Sequence, residues 1–139
     1  MALKGSNRPR SVRSQPESAP AKPSILVVDD DPAIRSSLVF SLQVEGFAVR
    51  AYPDGAALLQ EFPFAKAGCL IVDYNLPGMN GLDLVSELRD REIEVPAILI
   101  TSLPSSGVRE RAAAVGAVIV EKPLLGETLF QEIRSALRV

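Results

Sequence analysis

Five short aliphatic runs, each closed by a polar residue and followed by a stretch of helical spacing, constrain this chain more than any other feature. Ile25-Leu26-Val27-Val28 shows no polar alternation, which fits a strand buried on both faces. Asp29-Asp30-Asp31-Pro32 ends it and opens a helix, because proline suits the first helical turn and acids suit its positive dipole end. Ile34, Leu38 and Leu42 follow at helical spacing, with Gly46 as the stop. Phe47 to Tyr52 alternates as a strand exposed on one side, and Gly55 to Phe62 reads as a second helix. Cys69 to Val72 is a buried strand ending at Asp73, and Leu82 to Arg91 is a helix with Leu84, Val85 and Leu88 inward. Pro96 to Ile100 is a fourth strand ending at Thr101 and Ser102, followed by a helix over Ser106 to Val115 that Gly116 stops. Ala117 to Val120 is the fifth strand, ending at Glu121-Lys122-Pro123. Glu127 to Leu137 closes the chain, with Leu129, Ile133 and Leu137 on one side.

Strand then helix, repeated in this way, predicts an α/β fold, a doubly wound parallel sheet with helices on both faces. Ligands of such sheets sit at the carboxyl ends of the strands, where the strand order reverses. Those ends carry Asp29, Asp30 and Asp31, then Asp73, then Thr101 and Ser102, then Lys122. The notable polar residues therefore share one rim.

The chain has 139 residues, the size of one domain, and such a domain buries ~68 % of its unfolded surface, enough for a core without cross-links. It has one cysteine, Cys69, and no histidine. An internal disulfide, a Cys/His zinc site and histidine-assisted nucleophiles are thereby excluded. Cys69 heads a buried strand and reads as a small core residue. The aliphatic runs are far short of a membrane span. Up to Ser24 the sequence differs in kind: Lys4, Arg8, Arg10, Arg13 and Lys22 stand against Glu17, among Pro9, Pro16, Pro20 and Pro23. The remainder carries ten basic and sixteen acidic residues. Residues 1–23 read as a disordered, solvated basic arm, and 24–139 as the folded domain. The arm has no long apolar stretch and is not a secretory signal.

Carboxylates gathered on one rim repel: two charges ~5 Å apart cost ~3 kcal/mol at an effective dielectric of ~20. Such a cluster holds a proton or a cation. Oxygen ligands without nitrogen or sulfur suit Mg2+ or Mn2+. Thr101 and Lys122 suit the oxygens of a phosphoryl group, and a carboxylate such as Asp73 can act as nucleophile and form an acyl phosphate. Taken singly, an acidic cluster at a helix start is ordinary capping and Lys-Pro an ordinary turn. Their joint placement on the strand ends points to function.

Val27-Val28-Asp29-Asp30, the run from Val72 and Asp73 through Tyr74-Asn75-Leu76-Pro77-Gly78-Met79-Asn80 to Gly81, Thr101, and Lys122-Pro123 resemble the receiver domain of two-component response regulators. The likeness covers about Ile25 to Val139, and the text around Glu121-Lys122-Pro123 is most similar to receivers of nitrogen-fixation-type regulators. The resemblance implies a flavodoxin-like (βα)5 sheet of order 2-1-3-4-5. It implies that Asp73 accepts a phosphoryl group from a histidine kinase, in a signalling domain that catalyses only its own phosphorylation and dephosphorylation. Asp30, Asp73 and the backbone carbonyl of Asn75 would bind Mg2+, with Asp29 acting through water. Asp30 rather than Asp31 is the metal ligand by the family's spacing to the acceptor. Thr101 would turn toward the phosphoryl group, Lys122 would bridge it, and the bond before Pro123 would be cis. A cytoplasmic location and a homodimer through the fourth helix, fifth strand and fifth helix are further implications.

Two departures stand out. The position three before the lysine, usually Tyr or Phe, is Ile119. Leu103 places an apolar side chain near the site mouth, where it would slow attack by water. Only two residues follow Leu137, so a stand-alone receiver or the leading part of a longer regulator is expected, with no DNA-binding domain in this chain. Arg35 reads as a solvated residue of the first helix, the helix where receivers meet their kinases. Arg109 and Arg111 read as surface partners of Glu110 and its neighbours. Three rival readings follow from the same residues. A haloacid-dehalogenase-like phosphatase would use Asp29 and Asp31 but leave Asp73 idle. A flavodoxin-like nucleotide binder would need phosphate-binding backbone donors where the aspartates stand. A receiver-shaped adaptor would bind partners without phosphorylation.

Overall fold

The computed structural model describes residues 24–61, 67–122 and 126–137. The basic arm, Phe62 and the bond before Pro123 lie outside the described residues. Ten elements alternate along the chain: β1 (Ser24–Val28), α1 (Pro32–Val44), β2 (Ala48–Tyr52), α2 (Gly55–Glu61), β3 (Cys69–Asp73), α3 (Gly81–Asp90), β4 (Ala97–Thr101), α4 (Ser106–Ala114), β5 (Ala117–Glu121) and α5 (Gly126–Leu137). The strands form one parallel sheet in the order β2-β1-β3-β4-β5, as the sequence leads one to expect. The boundaries shift by a residue or so. Phe47 is not in β2, because its amide closes α1 on the Leu42 carbonyl at 3.1 Å. Gly46, at φ +99°, makes that reversal, a conformation glycine adopts without steric penalty.

The alternation of side chains along each strand divides the core into two layers. Leu26, Val28, Leu70, Val72 and Leu99 meet Leu58 of α2 and Leu82, Leu84, Val85 and Leu88 of α3. Ile25, Val27, Ile71, Ile98 and Ile100 meet Leu38 and Leu42 of α1 and Leu129 and Ile133 of α5. Because β1, β3 and β4 are covered on both faces, Ile25–Val28, Leu70–Val72 and Ala97–Ile100 are aliphatic without a break. Each such side chain contributes ~1.5–3 kcal/mol on burial. Ile34, the first member of the α1 stripe, is largely exposed, since α1 begins beyond the end of β1.

The helix starts are fixed by local chemistry. The Asp31 side chain caps α1, accepting from the amides of Ala33 and Ile34, with Pro32 in the first turn. Asn80 and Asp83 form a reciprocal capping box on α3. Gly81 is required for a different reason: a Cβ there would lie 2.5 Å from the Asp73 carbonyl oxygen and 2.8 Å from Leu99. This close approach seats α3 on the end of β3. Helix α4 fully buries only Ala112, with Val108 packed partly against the same layer, and polar contacts add to its hold. Arg109 pairs with Glu121 at 2.8 Å and Arg111 with Asp83 at 3.1 Å, which replaces the expected pairing with Glu110. The exchange follows from packing, since α4 lies beside β5 and α3.

Candidate functional site

The order of the strands places the site. The chain leaves β1 for β2 on one side and returns to β3 on the other, so the carboxyl ends of β1 and β3 flank a crevice. Asp29 follows β1 directly and Asp73 ends β3, and both are buried. Asp30 is exposed beside them. The three carboxylates offer oxygens that all lie within 4.8 Å of one another. Asp31 is outside this group, its side chain occupied in capping α1. The phosphatase reading needs that carboxylate as an acid–base and does not have it free.

Asp73 has partners on both oxygens. The Asn75 amide donates to Oδ1 at 3.0 Å, and Lys122 Nζ donates to Oδ2 at 2.9 Å. Lys122 reaches it because the β4–β5 ladder runs one step beyond the strands, with its amide on the Thr101 carbonyl at 2.9 Å. Tyr74 likewise extends β3 through its amide to the Ile100 carbonyl at 2.8 Å. The rim is therefore set by backbone pairing, and the side chains act from positions it has fixed. Thr101 is buried, but its hydroxyl finds only the Ser102 carbonyl at 3.5 Å, too long for a strong bond. It is free to meet another group. Ser102 is exposed, and so is Leu103, at 90 % and with φ +44°. In this conformation Leu103 shields nothing from water, contrary to the expectation from sequence.

Electrostatics mark the same spot. Burial holds the Asp29 carboxyl above its ordinary value; the charges of Asp73 and Asp30 add to this, while the Asp31 amide and Lys122 oppose it. Three oxygen-bearing acids against one lysine leave the group short of positive charge. The donor set fits a hard divalent cation: all oxygen, no nitrogen or sulfur, and exposed at Asp30 so that water completes the shell. Cys69 plays no part, since burial pushes its thiol up to about 12.

A cleft of about 750 Å³ opens from Asp29 and Lys122 between α1 and α5. Its walls include Ile34, Phe40, Val44 and Phe130, and three of these, Ile34, Phe40 and Val44, are exposed hydrophobics. The sequence reading missed the polar contact at its head. Arg35 is half-buried rather than solvated, and its Nη1 donates to the Asp29 carbonyl at 2.7 Å. The available signal was an arginine less than two turns into a helix that starts at an acidic strand end. Ile119 lies partly buried against the α2–α4 layer, in register with Leu99.

Residues 25–134 match the family described as response regulator receiver domain. The transcriptional regulatory protein FixJ of Bradyrhizobium diazoefficiens is 34 % identical over 118 residues, covering 84 % of this chain and 58 % of that protein. The sensory transduction protein RegX3 of Mycobacterium tuberculosis is 37 % identical over 116 residues, covering 83 % of this chain and 51 % of that protein. The chain thus spans about half the length of these curated relatives. Among solved structures, the chemotaxis protein CheY4 of Vibrio cholerae superposes with a TM-score of 0.79 at 30 % identity, covering 84 % of this chain and all of that one. The structure of FixJ-N gives 0.78 at 31 % identity, covering 85 % of this chain and 95 % of that one.

Proposed function

The chain belongs to the response regulator receiver domain family, and we propose that it takes a phosphoryl group onto Asp73 from a phosphohistidine of a partner histidine kinase. The observation that carries this reading is the buried Asp73 carboxylate, grouped with Asp29 and Asp30 and paired with Lys122 at 2.9 Å. Asp30, Asp73 and the Asn75 carbonyl would hold Mg2+, or Mn2+, with Asp29 acting through water; the ion when bound offsets charge on the phosphoryl oxygens. An Asp73 carboxylate oxygen attacks phosphorus; the new O–P bond forms as the P–N bond of the donor breaks, and the imidazole leaves. Each carboxylate oxygen has two acceptor positions, so the Asn75 amide can hold Oδ1 throughout. Lys122 moves from Oδ2 to an oxygen of the incoming group, which carries more charge than the carboxylate alone. Thr101, buried and without a strong partner, donates to another oxygen.

The switch follows from these two moves. Thr101 ends β4 and Lys122 follows β5 directly, and the loop from Thr101 leads into α4, which buries only Ala112. A helix with so little apolar anchorage shifts at small energetic cost. Ile119 has no polar tip to exchange between core and surface, so the signal leaves through the Thr101 loop and α4. The domain works in the bacterial cytoplasm, with the kinase approaching the α1 side and a homodimer forming through α4, β5 and α5. It stands alone or heads a longer regulator. Among the described residues, no helix is long and apolar enough to cross a membrane.

Mass spectrometry after incubation with acetyl phosphate and Mg2+ tests the proposal. The wild type gains one phosphoryl group, about 80 Da, and the gain is lost in Asp73→Asn or with EDTA. An adduct retained in Asp73→Asn refutes the assignment. A wild type that neither gains mass nor binds beryllofluoride with Mg2+ refutes phosphotransfer itself and leaves the adaptor reading.

A further inference from the structure

Arg35 stands on the rim without a role in the chemistry just described. Its guanidinium meets the Asp29 carbonyl at 2.7 Å, at the point where β1 leaves the sheet. The Asp29 amide is still paired, with the Tyr52 carbonyl at 3.1 Å. The Asp29 carboxylate is tied separately, accepting from the Asp31 amide at 2.9 Å. Asp31 in turn caps α1, the helix that carries Arg35. What Arg35 adds is a hold on the peptide unit joining Asp29 to Asp30. That unit matters because the Asp30 carboxylate is exposed and accepts no hydrogen bond from the described residues. Its direction is set by its backbone.

We infer that Arg35 is a positioning residue for the divalent cation: by clamping the Asp29–Asp30 peptide against α1, it keeps both carboxylates aimed at the space they share with Asp73. The inference rests on the proposed reading of the site. Two effects of Arg35 oppose each other. Its charge repels a cation, and its hydrogen bond pre-forms the ligand set. With Asp29, Asp30 and Asp73 against Arg35 and Lys122, the rim stays negative, so the repulsion is partly cancelled. Loss of a partner that orients a metal ligand typically weakens binding 10–100-fold. Position therefore outweighs charge. The contact is one hydrogen bond to a carbonyl rather than a two-pronged clasp, so lysine can supply it.

The test is Mn2+ binding to the full chain, followed by electron paramagnetic resonance of the free ion, for the wild type, Arg35→Met and Arg35→Lys. Arg35→Met is expected to weaken Mn2+ binding about tenfold, and Arg35→Lys to return it to within about threefold of the wild type. In phosphorylation by acetyl phosphate, the half-maximal Mg2+ concentration of Arg35→Met moves more than the maximal rate. A merely structural role would lower the melting temperature and leave the Mn2+ affinity unchanged, which would overturn the inference. Tighter Mn2+ binding by Arg35→Met would overturn it too, because the charge would then be the dominant effect. If Arg35→Met fails to fold, Arg35→Gln serves in the same comparison. A wild type that binds no Mn2+ refutes the reading of the site itself, whereas a binding wild type with an equal variant refutes only the role of Arg35.

Discussion

Replacing Asp29 by asparagine separates the two consequences of gathering carboxylates at the ends of β1 and β3. The donor oxygens of Asp29, Asp30 and Asp73 lie within 4.8 Å of one another. At that range and an effective dielectric of ~20, one pair of full charges repels by ~3 kcal/mol. Water screens the exposed Asp30, and Lys122 at 2.9 Å offsets much of the Asp73 charge. What Asp29 feels is then roughly 1–2 kcal/mol. Asparagine keeps the oxygen that accepts from the Asp31 amide at 2.9 Å, so little is lost. Without metal, at neutral pH, Asp29→Asn should be more stable by roughly 1–2 kcal/mol, which for a domain of this size raises the melting temperature by about 4–8 °C. The sign with pH follows from the raised carboxyl. The folded state binds the proton more tightly than the unfolded chain, so this group favours folding at low pH. That advantage is lost as pH rises from the unfolded value of 3.8 through the higher folded value. The gap between variant and wild type should open over this range and stay level above it. Mg2+ narrows the gap. At ten times its dissociation constant it stabilises the wild type by about 1.4 kcal/mol, while the variant, short of a ligand charge, gains much less. The assay is thermal unfolding by circular dichroism, in EDTA and in Mg2+, from pH 4 to 8. An Asp29→Asn protein less stable than wild type in EDTA, or one stabilised equally by Mg2+, would refute the reasoning.

Further outcomes follow from the same geometry. Lys122→Met leaves the buried Asp73 charge without its partner, so metal-free stability should fall by roughly 2–3 kcal/mol in urea titrations, with Mg2+ restoring more of it than in the wild type. Gly81→Ala puts a methyl group 2.5 Å from the Asp73 carbonyl oxygen, and the shift of α3 should cost about 2–3 kcal/mol in the same assay and slow phosphorylation by displacing Asp73. Asn80→Ala removes the capping box of α3 and should cost about 1 kcal/mol without changing Mg2+ affinity, measured by titration calorimetry. Leu103→Glu should leave the lifetime of the phosphorylated protein within about twofold of wild type, since the leucine is 90 % exposed; a marked shortening would show that the loop closes over the site.

The sequence reaches the rim through one physical rule. A strand buried on both faces is aliphatic along its interior, so the first polar residue after Ile25–Val28 or Cys69–Val72 marks the strand's carboxyl end at the rim of the sheet. That is why pattern alone places Asp29, Asp73, Thr101 and Lys122 at one edge. The central helices are legible for a similar reason: Leu84, Val85 and Leu88, or Leu129 and Ile133, have nowhere else to go. The edge elements are less so. β2 is exposed along much of its length, and α4 buries one alanine, so their patterns carry little hydrophobic signal.

Residue order and spacing thus account for the alternation, the two-faced core, and the set of oxygen and nitrogen groups on the rim. Which of those groups meet is a matter of three-dimensional packing. Asp29 and Asp73 lie far apart in sequence and become neighbours only because β1 and β3 pair in parallel. Lys122 reaches Asp73 across the β4–β5 ladder, and Arg109 and Arg111 choose Glu121 and Asp83 over nearer acids because helix packing fixes their distances. Arg35 shows the limit most plainly. Its spacing marks it as a helix-surface residue, and only the seating of α1 over the end of β1 turns it inward to the Asp29 carbonyl. Periodicity reports which face of an element is buried. A hydrogen bond between elements depends on their separation and angle, which no single segment encodes.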